Sequence, residues 1–215
     1  MPPEVKDVEE FIKEAKEKGK GRKFQQTVDL IFTLKDVDLK EQAKKIGGDV
    51  VLPSGRGRAV KICVIAGGDL ALRAKDTGVG VLSKEDLGAI GRDKKKVKEI
   101  ARQYDFFVAQ ADMMPLVGKT LGSVLGPRGK MPKPIPPNAD VGAVVARLMK
   151  TVTVRTQREQ PIINTFIGTE AMSDKELAAN FAAVVDSVES SLPRGDQNIG
   201  SIIVKTTMGK PVRAL

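Results

Sequence analysis

The rhythm of apolar residues changes partway along this chain, and that change constrains the fold more than any other feature. Residues 27–34 alternate, with Val28, Leu30, Phe32 and Leu34 on one side and Asp29 and Thr33 on the other. Period-two spacing of this kind specifies a strand with one face buried. Residues 201–207 alternate in the same way. Residues 60–66 instead form a nearly continuous apolar run, the pattern of a parallel strand covered on both faces. The change falls at Pro53-Ser-Gly-Arg-Gly-Arg58, which reads as a flexible basic connector.

Beyond that connector, short strands at 60–66, 78–82 and 105–109 alternate with helical segments at 67–74, 84–102, 111–125 and 139–150. This βαβαβα order predicts a small doubly wound unit. The flanks read differently. Residues 1–23 carry one apolar helical face, residues 39–46 a short helix, 151–155 a strand, and 161–167 an apolar run. Ser173 and Glu176 form a capping box before a helix at 177–190. Residues 193–197 read as a loop. We place boundaries near 60 and 154. The first flank has too few elements for a core of its own.

Residues 125–137 hold five of the 12 prolines, with Arg128, Lys130 and Lys133 and no acid among them. Proline fixes φ and removes a donor, so this stretch is neither helix interior nor central strand. It reads as a stiff, extended, cationic loop that loses little entropy on meeting a phosphate backbone.

Charge points the same way. Lys and Arg number 36 against 27 acids, a net of +9 with a pI near 9.6. Residues 60–154 hold 16 basic and 9 acidic side chains, so most of the excess lies there. RNA, DNA or an acidic surface is the implied partner, against the plainer reading of a charged, soluble exterior. The chain has no histidine, which excludes a histidine base, a Ser-His-Asp triad and a histidine metal site. The single Cys63 lies in an apolar run and reads as a buried, inert thiol. No apolar stretch nears the ~18 residues of a membrane span, and the N-terminus is charged rather than signal-like. A cytoplasmic protein with no metal and no cofactor is expected.

Nucleotide motifs fail on spacing. Gly118-Lys119-Thr120 has Met113 where a phosphate loop needs glycine, and Gly78-Val-Gly80 has Ser83 where a dinucleotide site needs one. Asp105 and Asp112 read as helix caps rather than paired acids. The run Arg92-Asp-Lys94-Lys95-Lys96-Val-Lys98 either tracks phosphates or forms a solvated helix face. Phe24, within Lys23-Phe-Gln-Gln-Thr27, either stacks on a base or joins the core. Thr206-Thr207-Met208-Gly209 offers two hydroxyls for 2′-OH groups or phosphates, with a glycine for close backbone approach, or else is an ordinary strand end.

Taken together, Lys-Phe-x-x-Thr at 23–27, Leu-Gly-Pro-Arg-Gly-Lys-Met-Pro at 125–132 and Thr-Thr-Met-Gly at 206–209 resemble the ribosomal protein L-one family in order and rough spacing. The proline-rich loop and absent histidines look archaeal rather than bacterial. The resemblance implies an α/β protein of two domains. Residues 1–60 and 154–215 would form a discontinuous α/β sandwich that binds RNA. Residues 61–153 would form an inserted Rossmann-like domain without a dinucleotide, with hinges near 55–58 and 155–158. It implies a non-catalytic protein of the mobile stalk beside the ribosomal exit site. Its partners would be large-subunit ribosomal RNA, its own messenger RNA, exit-site transfer RNA and other ribosome components, with no membrane. Carried over by position, the RNA contacts are Lys23, Phe24 and Thr27, then Asn164, then Ser201, Thr206, Thr207, Met208 and Gly209. Gln26 stands where many relatives have Glu, and Lys210 separates Gly209 from Pro211. Lys94, Lys95, Lys96, Arg128, Lys130 and Lys133 would form a secondary basic surface. A nucleotide-dependent enzyme and a non-specific DNA binder are the readings from other classes.

Overall fold

The computed structural model describes residues 5–37, 46–91, 93–157 and 160–214. The short helix expected at 39–46 lies outside the described residues but for Ile46, which is buried. Along the chain, helix α1 (Val5–Gly19) leads into strands β1 (Thr27–Leu34) and β2 (Gly47–Val51). Then come β3 (Ile62–Ile65), α2 (Gly68–Asp76), β4 (Gly80–Leu82), α3 (Lys84–Ile90), α4 (Lys94–Gln103) and β5 (Phe106–Gln110). Short helices α5 (Met114–Thr120) and α6 (Gly122–Leu125) precede β6 (Lys133–Ile135) and α7 (Val141–Met149). Strands β7 (Thr151–Gln157) and β8 (Gln160–Thr169), helix α8 (Asp174–Ser191) and strands β9 (Ile199–Thr206) and β10 (Val212–Arg213) complete it.

The chain divides into two compact units, 1–58 with 150–215, and 59–149. The second crossing falls at Met149/Lys150, because β7 begins at Thr151 and pairs with β2. Of residues 155–158, expected near a hinge, 155–157 lie within β7 and Arg158 lies outside the described residues. The first connector is not a loose tether either. The buried Asn180 side chain donates to Gly55 O (2.9 Å) and Ile167 O (2.7 Å) and accepts from Ser54 N (3.0 Å). The Arg56 guanidinium lies 4.7 Å over the Phe166 ring.

In the inserted unit the strands run β4-β3-β5-β6, all parallel, as the apolar run and the βα alternation require. Every residue of β3 is buried, with helices supplying a core on each face. The basic segment expected as one helix over 84–102 is two. The first stops at Ile90 with Gly91 as its C-cap, and Asp93 caps the second by accepting from Lys95 N (2.8 Å). The proline stretch contributes a short edge strand at Lys133–Ile135, where Pro134 leaves no central ladder bond unmade.

The terminal unit is an antiparallel sheet ordered β10-β9-β1-β8-β7-β2. Strand β1 lies between β9 and β8, so segments more than 120 residues apart in sequence meet in one ladder. Val28, Leu30, Phe32 and Leu34 turn one face of β1 toward α1 and α8. The Ser173–Glu176 capping box starts α8 as expected, and hydrogen bonds from Ser173 hold the Glu176 carboxyl below the ordinary glutamate range. The face of β1 opposite the helices is only half-covered.

Burial in the inserted unit pushes the Cys63 thiol up to about 12. Alkylation by iodoacetamide at neutral pH should thus be negligible in the folded chain and rapid in denaturant. Mass spectrometry reads the adduct, and fast labelling of folded protein would contradict the packing.

Candidate nucleic-acid interface

The open face of the terminal sheet is built by the same alternation that fills its core. On β1 the outward residues are Thr27, Asp29, Ile31 and Thr33. Antiparallel pairing sets Lys205 across from Asp29, Ile203 across from Ile31, and Ser201 across from Thr33. On the other side of β1, β8 sets Phe166 beside Asp29 and Asn164 beside Ile31. A shift in register between Val28 and Asp29 lets β8 pass Ile167 without a partner on β1. Asp29, Ile31, Asn164, Phe166 and Lys205 line a shallow depression of about 350 Å³.

At one end of this face the two chain segments lock together. Thr27 N donates to Thr207 Oγ1 (3.2 Å), Thr207 N donates to Thr27 O (3.1 Å), and the two hydroxyl oxygens lie 2.9 Å apart. Thr27 Oγ1 donates on to Asp29 Oδ1 (3.0 Å). Burial raises the Asp29 pKa above the ordinary aspartate value, while the Thr27 hydroxyl and the Lys205 charge oppose the rise. Beside this chain of polar groups stand two exposed apolar side chains, Phe24 (51% exposed) and Met208 (57%). Lys23 is exposed next to Phe24.

Of the expected site residues, Lys23, Phe24, Thr27, Thr207, Met208 and Gly209 gather at this end of the sheet, whereas Ser201 and Asn164 lie further along the same face. Thr206 does not belong to the surface. Its position alternates with Thr207, so its side chain turns inward and is fully buried. Gly209 has a second reason to be glycine. A Cβ there would collide with Thr206 Oγ1 and sit 3.2 Å from Gly19 Cα, and a Cβ on Gly19 would strike the same hydroxyl. Two glycines thus close over one threonine.

The residue that composition reasoning did not place is Gln26, which is 1% exposed. Its Nε2 donates to Gly19 O (2.8 Å) and Glu170 Oε2 (3.1 Å), and its Oε1 accepts from Met208 N (3.1 Å). Its main chain exchanges bonds with Glu170 as well: Gln26 N donates to Glu170 Oε1, and Glu170 N to Gln26 O, both at 3.0 Å. One amide therefore ties the end of α1, the end of β8 and the 206–209 turn. Position 26 was singled out only through the family resemblance, as one where many relatives have Glu. Its three partners were not, and nothing in the chain flagged Glu170.

In the inserted unit, Lys94, Lys95, Lys96 and Arg128 are exposed. Lys130 is not part of an open basic surface. Its ammonium donates to Tyr104 O (2.6 Å) and Ala101 O (3.0 Å), satisfying carbonyls at the end of α4. Lys133 lies 5.6 Å over the Phe106 ring. Among the described residues no cluster of acids or cysteine could hold a metal, and no helix is long and apolar enough to cross a membrane.

An α/β unit made from both chain ends, with a parallel α/β unit inserted and a hydroxyl-lined open sheet face, defines the class. The chain matches the Ribosomal protein L1p/L10e family over residues 11–210 and belongs to it. It is 48% identical over 202 residues to large ribosomal subunit protein uL1 of Methanothermococcus thermolithotrophicus, covering 94% of each chain. It is 50% identical over 198 residues to uL1 of Methanococcus maripaludis, covering 92% of each. The uL1 of Methanothermobacter thermautotrophicus is 45% identical over 210 residues, 97% of this chain and 99% of that one. These relatives are archaeal, as the motifs suggested, and the family is one of ribosomal proteins rather than enzymes.

Gln26→Ala removes the amide that holds Met208 N in a buried setting. The cost should be about 2–3 kcal/mol in denaturant unfolding. Gln26→Glu should cost more at neutral pH than in mild acid, because its charge would face Glu170. Equal stability of both variants and the parent would contradict the clamp.

Proposed function

We propose that this protein belongs to the large ribosomal subunit and holds large-subunit ribosomal RNA on the open face of its terminal unit. The observation that carries the reading is the meeting of residues 23–27 with 206–209 around exposed Phe24 and Met208. Phe24 stacks on a base and Met208 packs on a ribose. The hydroxyls of Thr27, Ser201 and Thr207, with the Asn164 amide, read sugar and base edges. Such a face grips RNA by shape and 2′-OH contacts, so it needs little net charge. That fits a terminal unit less basic than the inserted one.

The rest follows from the same face and the family. A stalk protein held this way moves with its RNA and assists release of deacylated transfer RNA from the exit site of the cytoplasmic ribosome. A messenger RNA that folds into a like element competes for the same residues, which gives repression of the protein's own translation. Lys94, Lys95 and Lys96, exposed on α4, serve a second RNA such as the transfer RNA.

Met208→Ala should weaken binding to a stalk fragment of the ribosomal RNA about tenfold, from loss of one packed apolar side chain, with the melting temperature unchanged. Neutralising Lys94–Lys96 should leave that affinity nearly intact. Filter binding at fixed salt decides. Met208→Ala within twofold of the parent, or a large loss from the lysine variant, would contradict the assignment.

A further inference from the structure

We infer that Asp29 fixes the direction of the Thr27–Thr207 hydroxyl chain, leaving Thr207 as a pure acceptor that selects a ribose 2′-hydroxyl and rejects a phosphate oxygen. This rests on the reading of the open face as the RNA surface. A threonine hydroxyl carries one proton and two lone pairs. The Asp29 carboxylate only accepts, so the Thr27 proton is committed to Asp29 Oδ1 at 3.0 Å. The 2.9 Å contact between Thr27 Oγ1 and Thr207 Oγ1 then takes its proton from Thr207, whose other acceptor within reach, Thr27 O, lies further off at 3.4 Å on the same inward side. The Thr27 main-chain N–H fills one Thr207 lone pair at 3.2 Å. What Thr207 still offers outward is one lone pair and no proton.

That remainder has a definite chemistry. A phosphate oxygen has no proton to give and finds no donor here. A ribose 2′-OH does give one, and DNA lacks it. Without an acceptor at position 29 the order would relax. Thr27 could donate to Thr207, Thr207 could turn its proton outward, and sugar and phosphate would no longer be told apart. Lys205, across the ladder from Asp29, supplies a cation on the same face, so a phosphate can be held beside the hydroxyl pair without using it.

The test is a scan of single 2′-deoxy substitutions through a stalk RNA fragment, read as affinity of the full chain. The parent should show one position where the 2′-hydroxyl is worth about fivefold to tenfold, the strength of one buried hydrogen bond. Asp29→Leu and Thr27→Val should each shrink that factor below about twofold, since a hydrogen bond not formed cannot be lost. Asp29→Asn keeps an oxygen for the Thr27 proton and should retain the factor, although it removes the same charge as Asp29→Leu. Thermal melts confirm folding, and if Asp29→Leu fails to fold, Thr27→Val carries the comparison. The inference is overturned if Thr27→Val or a folded Asp29→Leu leaves the factor intact, or if Asp29→Asn loses it. It is equally overturned if no position in the parent depends on its 2′-hydroxyl. A parent chain that ignores the RNA altogether contradicts the assignment of the face itself, a separate failure.

Discussion

The antiparallel pairing of β1 with β9 is the interaction on which the terminal unit depends. It joins Val28 to Thr206 and Asp29 to Lys205 across a gap of nearly the whole chain. Closing so long a loop costs conformational entropy, and the return comes only when the apolar sides of both strands are buried together. The buried residues of β1 and β9, with those of α1 and α8, form one cluster that includes Phe32, Leu30, Ile202, Val204, Phe181 and Ile12. The same pairing decides which residues face outward. A one-residue slip would bring Thr206 to the surface and bury Thr207.

Register alone does not hold the end of the ladder, where the strands give way to turns. There the packing of Gly19 and Gly209 around Thr206 and the bonds of Gln26 take over. A buried amide with each of its polar groups engaged is a strong positional constraint, because any displacement leaves a donor or acceptor without a partner. The consequence is that Met208, though exposed, is mounted on a backbone held by the Gln26 amide, with Phe24 two residues before Gln26. Exposed apolar side chains on a rigid support are what a recognition surface needs, since little entropy is lost when a partner arrives.

Much of this was legible in the chain. The alternation at 27–34 placed β1 with its bounds, and the apolar run at 60–66 marked a parallel strand, because burial pattern and period are local properties. The meeting of the chain ends came from family motifs, not from periodicity, which says nothing of pairing partners. What stayed hidden depended on tertiary partners. Lys130 looked like a surface cation until α4 ended beneath it with two carbonyls to satisfy. Thr206 looked equivalent to Thr207, and the pleat separated them. The 53–58 segment looked loose because glycine and arginine carry no sign of Asn180, which lies more than 120 residues away and holds it. The long basic helix broke because Gly91 closes its first part and Asp93 serves as a cap for the second rather than as an interior residue.

The central claim, that RNA lies on the open face of the terminal unit, is tested most directly by methyl resonances of methionine. Met208 is exposed at the proposed contact, while Met131 and Met149 are exposed on the inserted unit. With methyl-labelled methionine and assignment by substitution, titration with a stalk RNA fragment should shift or broaden Met208 strongly and leave Met131 and Met149 in place. Movement of Met131 or Met149 with Met208 unchanged would contradict the account.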